Sequence, residues 1–346
     1  MREPSKAELG WQPFFEKQLS EIEANTLIVA RVSAHLGGQV VLLTTTGELI
    51  LSTSLLASSV AVGDWFLLDP DRNHRAVRRL ERQTQLSRKA AGEATKPQLI
   101  AANIDTAFIV TSCNQDFNLS RVERYLALIL DSKAMPIVIL TKADQCDDPA
   151  DFEQSAERLM PGLIVQTLDA RDPDQATKLM RWCGIGQTVA MLGSSGVGKS
   201  TLANALCGGD IKTRGIREDD AKGRHTTTAR SMHRLLAGGL LIDNPGIREL
   251  QLPGCEQGLD DLFDDIVQWA KQCKFRNCQH KSDAGCALKA AVETGELEHR
   301  RFENYMKLLS EQARNSASLA DRRERDKQTG KMYKRIISEK KHRRQN

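Results

Sequence analysis

The chain has 346 residues, 40% of them hydrophobic and 27% charged, with a net charge of +4. That length gives room for two or three domains, and the composition excludes a disordered chain. Apolar runs such as residues 107–110 and 137–140 are too short to span a bilayer and residues 1–10 lack the apolar core of a signal peptide, so a cytoplasmic protein without a membrane partner is expected.

Residues 1–24 read as a helical or loose extension. From residue 26 to about 86 the texture is β: TLIVARV, QVVLLTT and ELILSTS are punctuated by Gly37-Gly38, Gly47 and Gly63-Asp64. Short strands at this spacing predict a small barrel or sandwich, and the length fits a five-stranded OB-type barrel. Beyond a polar stretch at 88–98, apolar runs alternate with helical segments. The runs are TAFIV (106–110), PIVIL (136–140), LIVQTL (163–168), TVAML (188–192) and LLID (240–243). Such alternation predicts a mostly parallel sheet with ligands at the carboxyl ends of its strands.

The first motif in chain order is Thr141-Lys142-Ala143-Asp144, directly after PIVIL. It has the form N/T-K-x-D, in which a carboxylate at Asp144 accepts from guanine N1 and N2 and the Lys142 stem lies over the base. Adenine lacks those donors, so a buried acceptor would go unpaired. Thr141 in place of Asn is expected to weaken the tie between this loop and the phosphate loop. Alone, the motif is equally a βα loop with an Asp cap.

The phosphate loop is Gly193-Ser194-Ser195-Gly196-Val197-Gly198-Lys199-Ser200, followed by Thr201. It matches G-x-x-x-x-G-K-[ST] between a strand and a helix, the context such a loop requires. Its glycines let backbone N–H groups surround phosphates, Lys199 is expected on the β- and γ-phosphates, and Ser200 on Mg²⁺. A chance match in a chain of this length is on the order of one in a hundred.

Farther on stands Gly223-Arg224-His225-Thr226-Thr227-Thr228, where Thr226 is the choice for a switch threonine reaching Mg²⁺ and the γ-phosphate. Asp243-Asn244-Pro245-Gly246 has the form D-x-x-G, with Asp243 holding Mg²⁺ through water and the Gly246 N–H at the γ-phosphate. Ile247 follows, where a water-orienting Gln is common, so His225 is the candidate to position the attacking water. In ordinary GTPases the base motif comes last; here it precedes the phosphate loop, an order that a circular permutation produces.

Three of the eight cysteines lie in CKFRNCQHKSDAGC. Cys273, Cys278, His280 and Cys286 make a Cys₃His set, the donors of a closed, structural zinc site. Lys271, Lys274, Arg276 and Lys281 make that loop basic, which suits RNA or is solvated charge. The other five cysteines read as small buried residues. Residues 322–344 form a basic tail that suits nucleic acid, or a solvated helix with no partner.

Together IAANID (100–105), TKAD, GSSGVGKST, GRHTTT, DNPG and CKFRNCQH…C resemble the RsgA (YjeQ) family of circularly permuted GTPases over most of the chain. The resemblance implies an N-terminal OB-type β-barrel, a central α/β P-loop GTPase domain and a C-terminal, mostly α, zinc-binding domain. It implies residues 1–24 as an extension, 25–95 as the barrel, 96–254 as the GTPase domain and 255–346 as the zinc domain with its basic tail. It further implies GTP and GDP with magnesium, one structural zinc, and a role in late maturation of the small ribosomal subunit. That subunit and its rRNA would stimulate hydrolysis, with His225 as the catalytic residue and a monomer as the acting form. One departure is Thr167-Leu168-Asp169-Ala170, where a Ser-Ala element is expected to supply a second base contact. The alternatives are an RNA-binding chaperone that uses GTP and GDP as a latch with negligible turnover, and a GTPase serving another partner.

Overall fold

The structure is a computed structural model and describes residues 3–56, 59–89, 97–209, 230–243 and 255–316. Two short helices, α1 (Pro13–Glu16) and α2 (Glu21–Thr26), precede the first strands. Ser20 caps α2 reciprocally with Glu23, which satisfies two amides of its first turn. Strands β1 (Ile28–Leu36), β2 (Gln39–Thr44), β3 (Gly47–Ser52), β4 (Trp65–Asp69) and β5 (Arg75–Arg79) pair antiparallel in the order β3-β2-β1-β4-β5. This is the pairing order of an OB-type barrel. Alternation puts Ala30, Val32, Val40, Leu42, Phe66 and Leu68 on the inner face, whereas Val29, Trp65 and Leu67 pack outward under Leu9 and Phe15 of the N-terminal extension.

A hairpin of β6 (Gln85–Lys89) and β7 (Pro97–Ala102) follows, with Lys89 opposite Pro97. Its two strands stand on either side of the boundary expected at 95–96. The central region then contains β8 (Thr106–Ser112), α3 (Leu119–Ser132), β9 (Met135–Thr141), α4 (Pro149–Glu157), β10 (Ile164–Thr167), α5 (Pro173–Ala176), β11 (Thr188–Leu192), α6 (Lys199–Cys207), β12 (Arg230–Arg234) and β13 (Leu240–Asp243). The strand order is β10-β9-β8-β11-β13-β12, parallel except for β12. The inner strands are buried on both faces, which explains their unbroken apolar runs. Strand β12 also pairs with β1 of the barrel, Ala34 with Ser231 and His35 with Arg230. One continuous sheet thus joins the two units and covers an edge that would otherwise be open to other chains.

Arg31 secures this junction from inside. Its buried guanidinium donates to the carbonyls of Leu9 (2.6 Å) and Asn103 (3.0 Å) and to Thr188 Oγ1 (2.9 Å). Burial pushes the Arg31 pKa down to about 10, partly offset by the carboxylates of Asp105 and Asp64.

The C-terminal helices are α7 (Glu256–Leu262), α8 (Asp264–Ala270), α9 (Ala287–Thr294) and α10 (His299–Ser316). They share one core with α3, which includes Leu126, Ile129, Leu259, Phe263, Ile266, Leu288 and Leu308. Gly258 lets α7 lie directly on α3, because a Cβ there would strike the Ala127 carbonyl. Between α3 and α10, Glu123 is fully buried. It accepts from Arg300 (3.0 and 3.3 Å), Arg301 (3.1 Å) and Asn304 (2.5 Å), while Arg301 also reaches Asp265 (2.9 Å). Arg124 forms a two-pronged pair with Glu311 at 2.6 and 2.7 Å. Removing Glu123 takes the buried acceptor from Asn304 and leaves Arg301 with Asp265 and Arg300 with Glu298, and losing one member of a buried ion pair costs about 3–5 kcal/mol. Glu123→Ala should therefore lower stability to urea by that amount, and Glu123→Gln by less, because the amide oxygen still accepts hydrogen bonds.

Candidate nucleotide site and metal centre

The parallel register fixes where the site lies. Ser112 sits opposite Thr141, Leu140 opposite Thr167, Leu192 opposite Ile109, and Ala190 opposite Ile242. The base loop, the phosphate loop and Asp243 therefore all emerge at the carboxyl end of one sheet. The phosphate loop turns from β11 into α6 with Gly193 at φ 146°, Gly196 at 81° and Gly198 at 92°. At Gly193 a side chain would also strike the Val110 carbonyl. Val197 plugs into the core, while Ser195, Gly196, Ser200 and Thr201 are exposed at the mouth. Gly198 begins α6 without a side-chain cap, and a helix N-terminus of this kind suits an anion.

Lys199 Nζ donates to the carbonyls of Gly193 (2.8 Å) and Ser194. Helix α3 buttresses the loop from the other side. Arg121 donates to Ser194 Oγ at 2.8 Å, and the Tyr125 hydroxyl hydrogen-bonds the same serine.

Thr141, expected to tie this loop to the phosphate loop more weakly than Asn would, does make such a tie. The side chain is fully buried, and Oγ1 lies 2.6 Å from the Val197 carbonyl and 3.0 Å from that of Thr111. One hydroxyl thus ties the base loop to the phosphate loop across residues far apart in the chain. Lys142 takes the left-handed conformation (φ 58°) and starts a turn over Ala143–Gln145, which leaves Asp144 exposed.

Asp243 ends β13 in a half-buried position. Burial raises its carboxyl pKa, with His233 and Lys199 pulling it back. The phosphate-loop lysine is thus near enough for its charge to act on the Asp243 carboxylate. His233, bonded to Ser231 (2.9 Å), is itself lowered by burial. Sequence reading singled out neither residue, because RSMHR has no motif form. His225, Thr226, Gly246 and Ile247 lie outside the described residues, as does the basic tail at 322–344.

The Cys₃His set does converge. The ligand atoms of Cys273, Cys278, His280 and Cys286 all lie within 4.8 Å of one another. His280 Nδ1 is 3.6 Å from Cys273 Sγ and 3.5 Å from Cys286 Sγ. Bonds of about 2.3 Å to sulfur and 2.0–2.1 Å to nitrogen in a tetrahedron place ligand atoms about 3.5–3.8 Å apart, so the donors fit zinc. Cys286 caps α9. Burial pushes the Cys273 thiol up, but amides of Ala287 and Leu288 at that helix end and the neighbouring sulfurs bring it below its ordinary value. Lys271, Lys274, Arg276 and Lys281 are exposed around the cluster, and so is Phe275.

A phosphate loop on a five-stranded parallel sheet with one antiparallel edge, joined by a base loop that precedes it in the chain, defines a circularly permuted P-loop GTPase. The RsgA GTPase family matches residues 79–253. Among curated relatives, "Small ribosomal subunit biogenesis GTPase RsgA 2" of Vibrio parahaemolyticus is 49% identical over 98% of this chain and 94% of its own length. "Small ribosomal subunit biogenesis GTPase RsgA" of Mesorhizobium japonicum is 47% identical over 90% and 91%. The chain belongs to the RsgA GTPase family. Two solved structures share the fold. YjeQ from Thermotoga maritima has a TM-score of 0.59 at 23% identity, with 83% of this chain and 99% of that one covered. YloQ, a circularly permuted GTPase, has a TM-score of 0.59 at 22% identity, with 87% and 100% covered.

Proposed function

We propose that this chain hydrolyses GTP during late maturation of the small ribosomal subunit, and that the subunit raises its turnover. The observation that carries the reading is the Thr141–Val197 hydrogen bond. It joins a guanine-type loop to a phosphate loop, in a chain 49% identical to a protein named for small-subunit biogenesis.

In this reading Asp144 accepts from guanine N1 and N2, the Lys142 stem covers the base and Ala143 carries the turn between them. The N–H groups of residues 193–201 surround the phosphates, and Lys199 neutralises the β- and γ-oxygens. Held by Ser200 and Thr226, and by Asp243 through water, Mg²⁺ would offset the charge that develops on the transferring phosphoryl group. The Gly246 N–H senses the γ-phosphate. His225 orients the attacking water, a task Ile247 cannot perform.

The division of labour is a barrel at 25–95, a GTPase unit at 96–254 and a zinc unit at 255–346, preceded by an extension at 1–24. The barrel and the metal loop grip rRNA. The exposed cations at 271, 274, 276 and 281 beside Phe275 support this, being suited to phosphates and to a stacked base. The chain acts as a monomer in the cytoplasm; among the described residues no helix is long and apolar enough to cross a membrane. Purified small subunits should raise GTP turnover by the full chain, and large subunits should not.

A further inference from the structure

Two carboxylates, Asp144 and Asp169, share one arginine beside the loop read as base-recognising. Strands β9 and β10 run parallel, with Leu140 opposite Thr167, so the loops that leave them lie side by side. One loop carries Asp144 and the other Asp169. An ionised Asp169 is an acceptor only and cannot donate to Asp144, as a serine hydroxyl at that position could. The two groups repel unless a cation lies between them.

Arg171 is that cation. Its Nη2 donates to Asp144 Oδ2 and to Asp169 Oδ2 (3.2 Å), its Nε donates to Asp169 Oδ1 (3.2 Å), and its backbone N–H reaches the same Oδ1 at 2.9 Å. The loop is braced from behind, because the Asp169 N–H donates to Gln175 Oε1 (2.9 Å) and Gln175 in turn donates to Asp172 (2.9 Å). The guanidinium is thus anchored at one end and presents its free edge to Asp144.

We propose that Arg171 is a positioning residue for base recognition, bridging Asp169 to Asp144 so that the Asp144 carboxylate is turned to accept from guanine N1–H and N2–H. The proposal rests on the reading of Asp144 as the guanine-selecting group. Each carboxylate oxygen has two acceptor sites, so Asp144 Oδ2 can hold Arg171 and a base N–H together. The planar fork of arginine spans two carboxylates, which the point charge of lysine does not. In this chain the loop after β10 therefore serves the base through a cation, where the expected Ser-Ala element has a hydroxyl.

The test uses the full chain with Arg171→Ala, Arg171→Lys and Asp144→Asn, and compares GDP, inosine diphosphate and xanthosine diphosphate. Arg171→Ala should weaken GDP by about tenfold, the worth of a charge-assisted hydrogen bond. Inosine diphosphate should lose less, because it lacks the N2 amino group and makes one bond to Asp144 instead of two. The GDP-over-inosine preference then narrows, while kcat at saturating GTP and the melting temperature hold, since an exposed ion pair adds little stability. Arg171→Lys should recover only part of the GDP affinity. GDP binding that is unchanged or tighter in Arg171→Ala overturns the proposal. Asp144→Asn should move the preference from GDP to xanthosine diphosphate. If it does not, the guanine reading falls and the proposal with it; if it does while Arg171→Ala binds as the parent, the proposal alone falls.

Discussion

Cys278→Ser should release the metal from the C-terminal cluster and open residues 273–286 to proteolysis. Most side chains of this segment are exposed, and of its residues only Cys286 is buried. Besides the ligand set, the loop between α8 and α9 is held by a few hydrogen bonds of its own, such as those from the N–H of Lys274 to the Gly285 carbonyl and of Gln279 to Asp283. Structural zinc binds such sites with an apparent free energy of about 10–16 kcal/mol, and that energy is folding energy. The helices themselves should survive, because Phe263, Leu288, Tyr305 and Leu308 belong to the core shared with α3. Elemental analysis of the parent and the variant, followed by limited trypsin digestion, should show loss of zinc and new cuts at Lys274, Arg276 or Lys281. A metal-free parent, or a variant as protease-resistant as the parent, would refute this.

Lys199→Ala should lower kcat/KM for GTP by about a thousandfold, the scale for removing a principal electrostatic stabiliser of a transferring group. The ammonium bonds carbonyls of its own loop, Gly193 and Ser194, so its loss should cost the fold little. Lys199→Arg should recover almost none of the rate, because a planar fork does not fit where a compact point charge is needed. Circular dichroism and the melting temperature serve as controls for folding. Turnover within tenfold of the parent would place the phosphates elsewhere.

Much of the central unit was legible because its strands are buried on both faces and so read as unbroken apolar runs. TVAML, PIVIL and LLID match β11, the inner part of β9 and β13, and the motifs sit at their carboxyl ends. The Cys₃His set was legible from spacing alone. What escaped is held by partners remote in sequence. Arg31 lies in a strand-like run and carries no sign that Leu9, Asn103 and Thr188 enclose it. Glu123 reads as an ordinary helical glutamate, yet its partners lie at 300, 301 and 304. The union of β1 with β12 uses backbone groups, which leave no side-chain signature. The burial of Thr141 and the direction of its hydroxyl were likewise not legible, because the identity of a residue reveals neither. Arg171 drew no notice because a single arginine in a polar loop is usually solvated.

The most direct test of the account is GTP turnover by the full chain with purified small ribosomal subunits, large subunits or neither, with Lys199→Ala run in parallel. The account predicts slow turnover by the chain alone, since Ile247 cannot orient water, and strong stimulation by small subunits only, absent in Lys199→Ala. Turnover that stays low while the chain still co-sediments with small subunits would contradict it, and would leave an RNA-binding protein that uses the nucleotide as a latch.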